Sequence, residues 1–98
     1  MNTEEYIAYK FGKDAKMALA ISQAENGTRQ CDRTNWNTNG TTDYGVFMIN
    51  SIHLKKGYRL ADLIDCHKNI DIAYTLYQQQ GFKPWVVYNN QSYKKFLK

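Results

Sequence analysis

Two stretches of the chain carry apolar residues at the spacing of a helix. The first covers residues 14–25, with Asp14 as the predicted N-terminal cap and Gly27 beyond its end. The second follows Asp65, another favourable cap, and reaches about Gln80. Both apolar faces are predicted to pack into one core. The residues that define them are Met17, Ala18, Ile21 and Ala24, and then Ile70, Ala73, Tyr74 and Tyr77.

Shorter helical segments are predicted from residues that favour helix starts and stops. The chain is therefore expected to be mainly helical. These segments are residues 4–11, capped by Thr3 and ended by Gly12; a segment from about Ser51 to Gly57; residues 60–64; and residues 93–98, capped by Ser92.

The polar segment 28–45 differs from its helical surroundings because it is rich in Thr and Asn. At its centre, Asn39-Gly40 predicts a hairpin turn with positive φ at both residues. The flanking strands would cover residues 33–38 and 41–44. The apolar run that follows is too short to distinguish a buried strand from a buried helix. The expected fold class is α+β, mainly α, with a small β-hairpin lobe beside a cleft.

Composition indicates one domain, residues 1–98, with enough apolar surface for a core. Hydrophobic residues make up 43% of the chain and aromatic residues 14%, with eight Tyr and two Trp. This content suits a small core that also has a stacking surface of the kind used by carbohydrate sites. No stretch is long and apolar enough to cross a membrane, so stable insertion is not expected. Nothing in the pattern demands a cofactor or an oligomer, so we expect a monomer.

The formal net charge of +4 indicates an anionic partner, such as nucleic acid, a membrane surface or a bacterial wall. Basic residues do not interleave with aromatic ones in a stripe, so nucleic acid is not expected. The first residues lack a basic region followed by an apolar run, so no signal peptide is expected. An extracellular, periplasmic or cell-wall-directed protein would then use another export route, including phage-encoded lysis, or a leader already removed.

The two cysteines, Cys31 and Cys66, are far apart in the sequence. A disulfide between them suits a small, basic, secreted domain. Two free thiols in a reducing compartment are the alternative. A zinc site with His53 and His67 is disfavoured, because the cysteines lack the close paired spacing of zinc ligands. We therefore expect the disulfide and no metal.

Two carboxylates stand out as candidates for catalysis. Glu25 follows Ile21 by four residues and Ala18 by seven, so it projects from the apolar helix face. Loss of water there would raise its pKa. Asp43 lies among Thr, Asn and Tyr residues, where it should stay ionised. Two carboxyl groups with separated pKa values are what acid-dependent bond cleavage needs. The alternative is that both are ordinary surface residues.

The segment NWNTNGTTDYGVFMINS, residues 35–51, resembles the hairpin of animal-type lysozymes. In that family, the Asp that precedes Tyr-Gly is the second catalytic carboxylate, and it matches Asp43. The catalytic acid ends a helix a similar distance upstream, and it matches Glu25. The resemblance therefore implies a lysozyme-like fold with a substrate cleft.

Several blocks also resemble the lytic transglycosylase domain, in the same order along the chain. Together with the hairpin, the matches cover roughly residues 15–93. In lysozymes, a Trp at the position of Trp85 covers the acid and helps to raise its pKa. The blocks are AENG at 24–27, GVFMIN at 45–50, Asn69-Ile70 with Ala73 and Leu76-Tyr77, and PWVVYN at 84–89, the last shared by both families.

The resemblance also implies substrate-binding residues. Asn37 and Asn50 match sugar hydrogen-bonding positions, whereas Tyr44, Trp85 and Tyr88 could contact sugar or belong to the core. The chain departs from the family patterns in four ways. Met48 stands where Gln is usual, and Asn26 replaces the common Ser. The chain is also shorter and lacks the extra disulfides of animal lysozymes, so the cleft is expected to hold fewer sugars.

The expected function is therefore hydrolysis of bacterial cell-wall glycan between N-acetylmuramic acid and N-acetylglucosamine. Glu25 would act as general acid and base, and Asp43 as nucleophile or stabiliser. A lytic transglycosylase that uses Glu25 alone and forms anhydro-muramic ends is the alternative within this superfamily. An inactive wall- or sugar-binding relative, or a basic protein that disrupts walls or membranes without catalysis, would represent different classes.

Overall fold

Helices form 59% of the protein in the computed structural model, which describes residues 1–97 and shows a mainly helical α+β fold. The expected fold class is confirmed. The α-helices are α1 (Thr3–Phe11), α2 (Ala15–Glu25), α3 (Leu60–Leu63), α4 (Cys66–Gln80) and α5 (Val86–Asn89). The strands are β1 (Thr34–Trp36), β2 (Thr42–Tyr44) and β3 (Ile49–Asn50), and 3-10 turns cover Gly12–Asp14, Ser51–Lys56 and Ser92–Phe96.

Helix α1 starts one residue earlier than predicted. Asn2 and Glu5 form a capping box, in which the Asn2 side chain accepts from the Glu5 amide and the Glu5 carboxylate accepts from the Asn2 amide. The prediction of Thr3 as the cap was wrong, because Glu5 forms the capping box with Asn2, which lies three positions before Glu5. Ser92 is likewise not a cap, since it is the first residue of its 3-10 turn. That turn replaces the helix predicted over 93–98, whose last residue lies outside the described chain.

The two long helices were predicted at nearly their observed positions. The Asp65 carboxylate accepts a hydrogen bond from the Lys68 amide and caps α4, as expected. Asp14 occupies the N-cap position of α2, as predicted, but its carboxylate makes no capping hydrogen bond, because it accepts one from the Tyr77 hydroxyl instead. Helix α2 therefore begins at Ala15, after a 3-10 turn.

The sheet is antiparallel, with β2 between β1 and β3. Its turn differs from the predicted one, because only Gly40 has a positive φ, of 87°. The backbone N–H of Asn37 donates to the backbone carbonyl of Thr41, and the backbone N–H of Gly40 donates to the backbone carbonyl of Asn37. This pattern is a type I turn followed by a left-handed glycine. The Asn39 side-chain oxygen accepts from the Thr41 amide, which stabilises this longer loop.

The apolar run 46–49 is neither one strand nor one helix. Val46 and Phe47 lie in a buried turn, and Ile49 begins β3. They join the core formed by α1, α2 and α4, in which Ala18, Ile21, Ile70 and Ala73 are fully buried as predicted. The remaining members of the two predicted apolar faces are half-buried and pack against this core. They are Met17, Ala24, Tyr74 and Tyr77.

Two fully buried asparagines hold the turn between β2 and β3. The Asn26 amide donates to the Gly45 carbonyl at 3.1 Å, and so joins the end of α2 to this turn. From α4, the Asn69 amide donates to the Tyr44 carbonyl at 2.9 Å, and its oxygen accepts from the Phe47 amide at 2.9 Å. The turn is thus fixed between the two long helices.

Cys31 and Cys66 form a disulfide whose Cα atoms are 4.8 Å apart. It links the segment after α2 to the first residue of α4. The chain-entropy model assigns a loop of this length about 4 kcal/mol of stabilisation. Among residues 1–97, no group of His, Cys, Asp and Glu side chains is arranged to hold a metal ion. Within the same residues, no helix has the length and apolar character needed to cross a membrane.

We expect Gly45→Ala to destabilise the protein by about 3 kcal/mol or more. Gly45 has a φ of 81°, and a Cβ there would overlap the Asn69 amide and the Leu63 carbonyl. Gly40→Ala is the matched control, because Gly40 has a similar φ but open space around its Cα. It should lose only about 1–2 kcal/mol. Urea unfolding measures both, and equal losses would contradict the close-packed turn described here.

Candidate active site

Glu25 is the last residue of α2 and lies half-buried at the edge of the core. The buried Asn26 that follows it fixes the helix end against the sheet. Burial, and to a smaller extent the negative charge of Asp43, together raise the pKa of Glu25 from 4.5 to about 7. The raised pKa predicted from the helix face is confirmed. Glu25 therefore keeps a proton to near neutral pH.

Asp43 lies at the centre of β2, opposite Asn35 on one side and Asn50 on the other. Each of its carboxylate oxygens accepts one amide hydrogen bond. Asn37 donates to Oδ2 at 3.1 Å, and Asn50 donates to Oδ1 at 2.9 Å. The same two amide groups also donate to the Thr41 hydroxyl oxygen. The carboxylate is therefore held in one orientation by the sheet and its turn.

Glu25 and Asp43 line one cleft of about 410 Å³. The cleft has two chemically different walls. The sheet and the following 3-10 turn supply a polar wall, and the segment around α5 supplies a largely apolar one together with parts of β3 and α4. The polar wall contains Asn37, Asn39, Thr41, Asp43, Asn50 and His53, and the apolar residues are Met48, Ile49, Leu76, Pro84, Trp85 and Val86.

Five of the seven predicted catalytic or binding residues line this cleft, and Tyr44 and Tyr88 do not. Tyr44 packs against the core, and Tyr88 stacks on Tyr93 with ring centroids 5.5 Å apart. For these two tyrosines, the structure favours the core alternative over sugar contact. Trp85 combines both roles, since it is only 3% exposed yet borders the cleft. Its Nε1 donates to the Phe47 carbonyl at 2.9 Å, which fixes the indole beside the turn.

The hydrogen bonds of Asn37 and Asn50 change the role expected for them. Both N–H bonds of each amide are used within the protein, on Asp43 and Thr41. The Asn50 oxygen also accepts from the Ile52 amide and caps the following 3-10 turn. Both side chains therefore position Asp43, and only their oxygens have lone pairs left for a ligand.

Sequence reasoning did not place several lining residues in a site. Leu76, Pro84 and Val86 reach the cleft through long-range packing, which no local spacing reveals. Met48 was noted only as a departure from a family pattern, and the structure gives it a φ of 49°, which is unusual for a bulky residue. The sequence indicated His53 only as a ligand in the alternative zinc site, and the two cysteines of that site form the disulfide instead.

The chain matches no protein-family model and no curated protein sequence. A protonated carboxyl group and a hydrogen-bonded carboxylate share one cleft, with an apolar wall on one side. This arrangement is suited to donating a proton to a leaving group while stabilising positive charge nearby.

We expect the free energy of unfolding of Glu25→Gln to increase relative to that of the parent protein as pH rises. In the folded state Glu25 loses its proton near pH 7, but when unfolded it does so near 4.5, so ionisation favours unfolding between these values. The difference should grow by about 2 kcal/mol over this range, after allowance for water at a half-buried group. Urea unfolding from pH 4 to 8 tests this, and a pH-independent difference would contradict the raised pKa.

Proposed function

We propose that this protein is a lysozyme-like glycosidase that hydrolyses bacterial cell-wall glycan between N-acetylmuramic acid and N-acetylglucosamine. The observation that carries the proposal is the placement of Glu25 and Asp43 in one cleft, with different surroundings for each carboxyl group. Glu25 is half-buried at the core, whereas Asp43 is surrounded by amide donors. Paired carboxyl groups in such contrasting settings are the basis of glycoside hydrolysis.

In the proposed mechanism, Glu25 acts first as the general acid. Its raised pKa keeps the carboxyl group protonated near neutral pH, so it can protonate the oxygen of the leaving sugar. The bond between this oxygen and the anomeric carbon then breaks. Glu25, now ionised, accepts a proton from the water that attacks the anomeric carbon, and this returns the acid to its starting state.

Asp43 stabilises the positive charge that develops on the sugar ring. Both of its oxygens already accept amide hydrogen bonds, which spread the negative charge and hold the carboxylate in place. The sheet register supports the role, since Asn50 lies directly across from Asp43 on β3. The carboxylate keeps free lone pairs, so attack on the anomeric carbon, with Asp43 as nucleophile, is the alternative role within the same mechanism.

The cleft walls and the charge of the chain suit a polymeric amino-sugar substrate. Sugar rings and N-acetyl methyl groups can pack on the apolar wall, while hydroxyl and carbonyl oxygens face the polar one. The net charge of +4 would attract the enzyme to an anionic wall. We accordingly propose that the protein acts as a monomer outside the cytoplasmic membrane, in the periplasm or on the cell wall.

A lytic transglycosylase is the second candidate. The raised pKa of Glu25 supports it as well, because such an enzyme relies on Glu25 alone and uses a muramic hydroxyl in place of water. The two reactions leave different ends on the fragments. Hydrolysis leaves reducing muramic ends, and transglycosylation leaves anhydro-muramic ends.

We expect digested peptidoglycan to yield fragments with reducing muramic ends in mass spectrometry. Glu25→Gln should lower the rate of fragment release at least about a thousandfold, because the leaving oxygen then lacks its proton donor. Asp43→Asn should lower it less, by about a hundredfold. Fragments with anhydro-muramic ends would instead identify the protein as a lytic transglycosylase.

Asp32→Asn provides the control, since it also removes a carboxylate near the sheet but lies on an exposed segment outside the cleft. It should release fragments at the parent rate. If Glu25→Gln also retained the parent rate, both catalytic candidates would be wrong. Lysis of bacteria without glycan fragments would instead identify a wall- or membrane-disrupting protein.

A further inference from the structure

Most hydrogen-bond donors on the polar wall of the cleft are already used. The amide groups of Asn37 and Asn50 donate to Thr41 and Asp43, and the Thr41 hydroxyl donates to Asn39 at 2.7 Å. The Asn39 amide nitrogen lies on the exposed tip of the hairpin. A bound sugar also presents carbonyl oxygens, which can only accept. The wall thus has a shortage of donors for such a ligand.

His53 is the half-buried residue of this wall whose ring is not committed within the described chain. It follows Asn50 closely in the 3-10 turn Ser51–Lys56, and its half-buried ring lines the cleft. Its Nδ1 is buried and has no hydrogen-bond partner within residues 1–97. A buried polar atom without a partner has a cost that function can explain. The other ring nitrogen, Nε2, is not among the buried atoms without a partner in residues 1–97, and the ring that carries it lines the cleft.

The surroundings of His53 also define its charge state. Burial lowers the pKa of the imidazole, and the positive charge of Lys56 lowers it further. The ring is therefore neutral at neutral pH and carries one N–H. A buried N–H without an acceptor is disfavoured relative to a buried lone pair, so the proton resides on Nε2. His53 then presents a neutral donor on a wall where the amide groups of Asn37 and Asn50 are committed.

We infer that His53 is a glycan-binding residue, whose Nε2–H donates to a hydroxyl or acetamide oxygen of a sugar held in the cleft. The inference rests on the proposed function and adds a residue to its substrate site. Neither composition nor a family pattern assigned this role to His53. The role follows from the unpartnered ring and from the commitment of the neighbouring amides.

The test measures binding without turnover, using Glu25→Gln as the background. The probe is a tetrasaccharide of alternating N-acetylglucosamine and N-acetylmuramic acid, and isothermal calorimetry gives its Kd. His53→Gln places an amide nitrogen near the position of Nε2, whereas His53→Asn places one near Nδ1. We expect His53→Gln to bind within about threefold of the background, and His53→Asn and His53→Phe to bind about tenfold more weakly.

Folding stability separates this role from a structural one. His53→Phe removes a buried nitrogen that has no partner, so urea unfolding should show equal or greater stability together with weaker binding. His67→Phe is the matched control, because His67 stacks on Tyr6 and does not line the cleft. It should leave the Kd of the tetrasaccharide unchanged.

Two results would overturn the inference and leave the proposed function in place. One is parent-like binding by His53→Phe. The other is an equal loss of binding by His53→Gln and His53→Asn, accompanied by a loss of stability in both. Failure of the Glu25→Gln background to bind the tetrasaccharide at all would overturn the inference together with the proposed glycan substrate.

Discussion

Two buried asparagines clamp the turn at Gly45 and join the sheet to the helical core. Asn26 holds this turn from α2, and Asn69 holds it from α4, in both cases with side chains that are fully buried. Buried amides are stable only when their hydrogen bonds are satisfied, so the turn has little freedom to shift. Gly45 is required there because its φ is 81° and a Cβ would meet the Asn69 amide. One small segment thus joins the sheet to both long helices.

The clamp also positions the candidate catalytic groups. Glu25 directly precedes Asn26, and Asp43 lies two residues before Gly45, so each carboxyl group is close to a fixed point of the backbone. Their environments then diverge. Glu25 faces the core and its pKa rises to about 7, whereas Asp43 accepts two amide hydrogen bonds from the polar wall. Both carboxyl groups therefore lie close in sequence to one rigid turn, which places them in the two different environments that the proposed chemistry needs.

The parts of the structure that could be predicted from the sequence are those determined by local spacing. Helical periodicity located α2 and α4, and the same periodicity placed Glu25 on the buried face. The contacts made by Asn26 and Asn69 join residues 19 to 25 positions apart, and no local pattern encodes them. The predicted turn type was wrong because a hydrogen bond from the Thr41 backbone amide to the Asn39 side-chain oxygen favours the longer loop. The apolar cleft wall and the environment of His53 likewise depend on packing between distant segments.

Burial and the charge of Asp43 together keep Glu25 protonated to near neutral pH. Carbon-13 NMR of the Glu25 side-chain carboxyl group measures this directly, in the parent protein and in Asp43→Asn. We predict a midpoint of about 7 in the parent, since both causes act there. In Asp43→Asn the midpoint should fall but stay above 4.5, because burial is the larger cause. A parent midpoint near 4.5, or one that Asp43→Asn leaves unchanged, would contradict the account.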